Sequence, residues 1–137
     1  MSADITAFIQ IDDNSLPDEP PFTSDPSTWD LSGDLGLSGC KDYKFYAAIS
    51  GVRNESGIEP LFSCRGLPNK TSKQIRDKIY APNVGWLTLA EINQALQHMG
   101  IALASLDLSV QMVLRTMYCA EELFGRDRVR LVFQISD

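Results

Sequence analysis

The sequence predicts an α+β fold, in which a small antiparallel sheet pairs the N- and C-terminal strands and packs against three to four helices. Three observations predict it. Residues 4–11 and 129–135, at opposite ends of the chain, are rich in β-branched and aromatic residues. The stretch between them repeats its apolar residues at helical spacings. At 137 residues the chain carries one domain's worth of core.

Along residues 4–11, Ile5, Ala7 and Ile9 alternate with Phe8, the period of a strand. Residues 12–40 then gather four prolines with several Ser and Gly. That irregular, acidic segment is longer than compact domains usually hold. Phe22, Trp29, Leu31, Leu35 and Leu37 are expected to pin it to the body as an ordered wrap. Over 43–52, Phe45, Tyr46, Ile49 and Val52 fall at helical spacing, with Asp42 as N-cap and Gly51 and Gly57 at the exit. Residues 64–68 read as a turn. Thr71 or Ser72 opens a short helix with Ile75 and Ile79 one turn apart, ended by Pro82. Thr88 and Glu91 have capping-box spacing, Leu87 and Ile92 stand where a hydrophobic staple would, and Gly100 suits the residue after the helix. The longest helix is expected over 106–123, closed by Gly125. Leu106, Val110, Val113, Leu114, Met117 and Ala120 form its apolar stripe, which would cover the sheet. Cys119 is expected to pack within it.

Hydrophobic residues make up 44% and charged residues 22%, ordinary for a soluble globular domain. The net charge of -6 is unevenly placed: residues 1–40 hold eight acids and no base, and the remainder holds ten acids and twelve bases. The first forty residues would therefore repel phosphate, which argues against nucleic-acid binding there. They suit either a basic protein surface or plain solvation. Cys40, Cys64 and Cys119 have no C-x-x-C spacing, and residues 1–10 lack a secretory pattern. Free thiols in a reducing cytoplasm are expected. No apolar run approaches the roughly 20 residues of a membrane span.

Reaction chemistry finds little support. His98 is the only histidine and stands near a helix end, where it would cap carbonyls. A thiol nucleophile needs a base, and a metal needs clustered ligands; neither spacing is present. A reaction centre would have to bring His98 to Tyr43 or Glu91. No nucleophile elbow or nucleotide-binding glycine motif occurs, and Gly33, Gly36 and Gly39 lie among acids. The neighbouring carboxylates Asp12–Asp13 and Glu121–Glu122 would point apart. Arg126, Arg128 and Arg130 alternate as on one strand face, as an anion site or as the charged guard of an edge strand. Trp29, Tyr43, Tyr46 and Trp86 are expected in the core.

Several blocks together give a resemblance. Asp4-Ile5-Thr6-Ala7-Phe8-Ile9, the run from Lys41 to Asn54, Arg65-Gly66-Leu67-Pro68, the run from Gly85 to Ile92, and Val129-Arg130-Leu131-Val132-Phe133 follow one another in order. So arranged, the chain resembles an uncharacterised family of small proteins encoded by bacteriophages and prophages. Family members often carry histidines just before the Trp. Pro82-Asn83-Val84-Gly85 stands there instead, so any metal those histidines hold would be missing here.

The resemblance implies a phage accessory protein in the bacterial host cytoplasm. The leading expectation is a non-enzymatic protein that binds a host or phage protein, perhaps a host defence component, through Asp12, Asp13, Asp18, Glu19, Asp25, Asp30 and Asp34. The alternative is a binder or sponge for an anionic nucleotide or metabolite, held by Arg53, Arg65, Arg126, Arg128 and Arg130, since guanidinium forks suit phosphate. No cofactor, metal or membrane is expected in either, and the apolar long helix leaves a homodimer open.

Overall fold

The structure, a computed structural model, describes residues 3–14, 19–23, 27–37, 41–62, 64–80 and 82–137. In chain order its elements are β1 (Asp4–Asp12), β2 (Thr28–Asp30), α1 (Tyr43–Ser50), α2 (Lys73–Lys78), β3 (Val84–Thr88), α3 (Leu89–His98), α4 (Leu108–Phe124) and β4 (Val129–Ser136). One turn of 3-10 helix at Leu103–Ser105 precedes α4.

The expected pairing of the chain's two ends forms the centre of the sheet. β1 and β4 run antiparallel from Asp4 opposite Ser136 to Ile11 opposite Val129. The strand order is β2-β1-β4-β3, all neighbours antiparallel. Two strands were not anticipated. β2 is three residues inside the acidic segment, too short to show a period. β3 is interrupted by Gly85, whose missing side chain makes room for the Phe133 ring: a Cβ there would meet Phe133 Cζ at 3.0 Å. Because β3 flanks β4, the last strand is interior and needs no charged guard against edge pairing.

Alternation sorts the strand residues onto two faces. Ile5, Ala7, Ile9 and Ile11 of β1 join Val129, Leu131, Phe133 and Ile135 of β4 in the main core, under α1, α3 and α4. Phe45, Tyr46 and Ile49 of α1, Ile92 and Leu96 of α3, and Val110, Leu114 and Met117 of α4 complete it. Each large side chain so buried contributes about 1.5–3 kcal/mol. On the opposite face Phe8 and Val132 pack with Ile75 and Ile79, the two residues that α2 turns inward.

Capping residues start the helices where the sequence suggests. Asp42 Oδ1 accepts from Phe45 N at 3.3 Å, and its Oδ2 accepts from Asp107 N at 2.8 Å, so one buried carboxylate serves the starts of both α1 and α4. Gly51 ends α1 at φ 76°, where a side chain would also meet Pro60 at 2.7 Å. Ser72 caps α2, which gives way to extended backbone at Ile79, before Pro82 is reached. Thr88 and Glu91 form the reciprocal capping box of α3.

The outer side of α4 departs from expectation. The helix begins at Leu108, two residues later than expected. Cys119 is exposed, because it shares the solvent stripe with Met112 and Arg115, one position short of buried Ala120. Phe22 and Leu37 are buried as anchors of the acidic segment, and Trp29 and Leu35 pack against the core, but Leu31 is 38% exposed. No helix among the described residues is long and apolar enough to cross a membrane.

Candidate anion-binding cleft

The second face of the sheet is polar along one row. Cross-strand register sets Asp30, Gln10, Arg130 and Thr88 side by side on β2, β1, β4 and β3. Ser72 Oγ donates to Asp30 Oδ2 at 2.6 Å, Gln10 Nε2 to Asp30 Oδ1 at 3.5 Å, and Arg130 Nε to Gln10 Oε1 at 2.7 Å. Arg130 Nη2 donates to the Asn69 carbonyl at 2.8 Å. The guanidinium is thus fixed by neutral acceptors, and the residue is only 2% exposed. Among the described residues no carboxylate lies within ion-pair distance of it. Burial drives its pKa down to about 10, and the more distant charge of Asp12 offsets only part of that.

Two aromatic rings frame this group. Arg130 Cζ lies 3.9 Å from the centre of the Phe22 ring and 5.3 Å from that of Trp86. Phe22 is held in the left-handed region at φ 63°, a conformation that costs a bulky residue about 1–3 kcal/mol. Asp12 holds it there: its Oδ2 accepts from Phe22 N at 2.5 Å and from Arg128 Nη1 at 3.2 Å, while Oδ1 accepts from Asn14 N at 2.9 Å.

Arg65 closes the other side. Its Cζ stands 4.6 Å from the centre of the Trp86 ring, and its Nη1 donates to Glu91 Oε1 at 3.0 Å while Nη2 engages Oε2. Glu91 Oε1 also accepts from Thr88 N at 3.0 Å. Burial alone would raise the pKa of this carboxyl, but its bonds with Arg65 and Thr88 together outweigh that and hold it below the usual carboxylate range.

Between these groups lies a cavity of about 530–620 Å³ scale, 620 Å³ by volume, bordered by Phe22, Arg65, Trp86, Glu91, Arg126 and Arg130. That is within the usual range for small-molecule sites. Arg126 is exposed at its rim and has no bonding partner among the described residues. Asp127 and Glu91 are its two bordering acids. A polyvalent anion with a planar ring fits this set: guanidinium groups for the charge, and aromatic and guanidinium planes for the ring.

The five arginines expected to act together are thus divided. Arg65, Arg126 and Arg130 meet at the cleft. Arg128 turns to Asp12 and to the Glu19 carbonyl, at 3.3 Å, so the three arginines of 126–130 do not share one strand face. Arg53 is elsewhere, donating Nη2 to Asp137 Oδ1 at 2.6 Å beside the Tyr43 ring. Trp86, expected as core, is half-buried between two arginines. Its alternation with buried Leu87 was the available signal, hidden while β3 went unrecognised.

The acids expected to form a protein-binding face bond largely within the fold. Asp12 is fully buried, the opposite of a contact surface, because it neutralises Arg128 and satisfies two backbone donors. Asp13 accepts from Trp29 Nε1 at 3.2 Å, Asp30 from Ser72 and Gln10, and Asp34 from the backbone of Gly36 and Ala7. Exposed Glu19 engages Asn14. Asp18, Asp25 and Cys40 lie outside the described residues.

His98 Nε2 donates to the Glu59 carbonyl at 2.8 Å, so it ties a loop to α3 and does not cap its own helix. Cys64 is half-buried, and burial pushes its thiol pKa up. Among the described residues no cluster of three or more His, Cys, Asp or Glu could hold a metal ion. Compared with known families, curated proteins and solved structures, the chain matches none.

Proposed function

We propose that this protein binds an anionic ligand bearing a planar ring, of the nucleotide class, in the cleft formed by Arg65, Trp86, Arg126 and Arg130. The observation that carries the reading is Arg130, a buried guanidinium with no carboxylate at ion-pair distance, at the wall of a 620 Å³ cavity. A buried charge held only by neutral acceptors is costly. A bound phosphate would supply the missing counter-charge, and Trp86 and Phe22 would flank its base. Glu91 is engaged by Arg65 and Thr88, which favours capture over acid–base chemistry. The resemblance to phage-encoded proteins supports the bacterial cytoplasm as the setting, with a nucleotide and not a host protein as the target.

Thermal unfolding with a panel of mono-, di- and triphosphate nucleotides tests this. A true ligand at about 100 times its Kd stabilises by about 2.7 kcal/mol, a rise of roughly 8 °C in Tm for a chain of this size. Arg126→Ala, at an exposed unpaired position, is expected to weaken binding about tenfold without changing the Tm of the free protein. No shift with any nucleotide, or equal shifts in the variant, would remove the cleft from consideration.

A further inference from the structure

A second cavity, of 530 Å³, lies beside the cleft. Asn69 borders both, and its carbonyl is fixed by Arg130 Nη2. Lys70, Lys73 and Arg76 border the second cavity together with the hydroxyls of Thr71 and Ser72, and no acid does. Six of the twelve lysines and arginines therefore border two adjoining cavities, in a protein whose net charge is -6. Lys73 and Arg76 have no bonding partner among the described residues. One end of this basic run carries aromatic rings; the other carries only charge and hydroxyl groups.

We propose that the two cavities form one track for a short single-stranded oligonucleotide, with a base at Trp86 and Phe22 and the following phosphates led past Asn69 to Lys73 and Arg76. This rests on the cleft reading and extends it from a single nucleotide to a strand. A linear ligand with evenly spaced charges can neutralise both cavities at once, and a lone nucleotide reaches one. Single-strand sites combine a basic groove with aromatic stacking platforms in this way. An acidic peptide would satisfy the charges but leave the rings unused, and a duplex keeps its bases stacked away from them.

The test measures binding of thymidine monophosphate, thymidine and uridine hexanucleotides, a hexaglutamate peptide and a 12-base-pair duplex. Fluorescence anisotropy or Trp86 quenching in a Trp29→Phe background provides the readout. The single-stranded hexanucleotides are expected to bind at least about tenfold tighter than the monophosphate, with a log affinity that falls by about 0.7 per log unit of salt for each phosphate engaged. The two sugars separate RNA from DNA. Lys73→Gln with Arg76→Gln should weaken hexanucleotide binding about tenfold and lower that slope by about 1, leaving monophosphate affinity unchanged. Circular dichroism and Tm check that this double variant remains folded. Equal binding of monophosphate and hexanucleotide, or of hexaglutamate or duplex and hexanucleotide, overturns the track while the cleft reading stands. An unaffected double variant does the same. Binding of neither monophosphate nor hexanucleotide overturns both.

Discussion

The two faces of the sheet are built on different principles. The face under α1, α3 and α4 is apolar from Ile5 to Ile135 and is held by burial, which is non-directional and tolerant of repacking. The opposite face is held through its middle row by directional bonds among Asp30, Gln10, Arg130 and Asn69. It is covered by a six-residue helix and by loops. One face makes the protein fold; the other fixes charges beside an opening. Substitutions should separate the two roles.

The largest stability loss is expected on the apolar face. Phe45→Ala removes a fully buried ring and should cost about 3–5 kcal/mol in urea denaturation. In the folded fraction nucleotide affinity should be unchanged; a change would break the division between faces. On the polar face Asp12→Ala leaves Arg128 and the Phe22 and Asn14 N–H groups without their acceptor, at about 3 kcal/mol. Unlike Phe45→Ala, it should also weaken nucleotide binding, because Phe22 is no longer held over Arg130.

Smaller effects sharpen the contrast. Thr88→Ala removes one half of the capping box and should cost about 1 kcal/mol. Glu91 gives a pH signature. Its folded pKa is depressed, so the stability it contributes is fully present above the ordinary carboxylate value and is lost as pH falls through the lowered folded value. Glu91→Gln should therefore flatten the acid limb of the stability profile. The smallest effect belongs to Arg53, outside the cleft: Arg53→Ala should leave nucleotide affinity unchanged within error, and a loss there would join it to the site.

The apolar face was legible because its periods are long and repeated. Ile5 to Ile9, the stripe from Val110 to Ala120, and the Thr88–Glu91 spacing each announce an element by themselves. The polar face was not, for reasons visible in its residues. β2 is too short for a period, and Gly85 interrupts the β-rich run of β3. Without β3, Trp86 has no face assigned to it and Arg130 looks like the guard of an edge. Asp12 illustrates the same limit: an acid in an acid-rich segment reads as surface until its partner Arg128, 116 residues away, is placed beside it. Cooperation between distant polar groups has no local signature, whereas burial of a helix face does.

The central strand pair has a kinetic consequence. Gln10 and Arg130 are joined across 120 residues of sequence, so a nascent chain emerging from the ribosome holds β1 without the neighbour that completes it on its inner side. Contacts of such separation close slowly, after the helices they enclose have formed locally. Since Arg130 rides on β4, ligand capture begins only when translation of that strand is done, and no partly synthesised chain can compete for the same molecule.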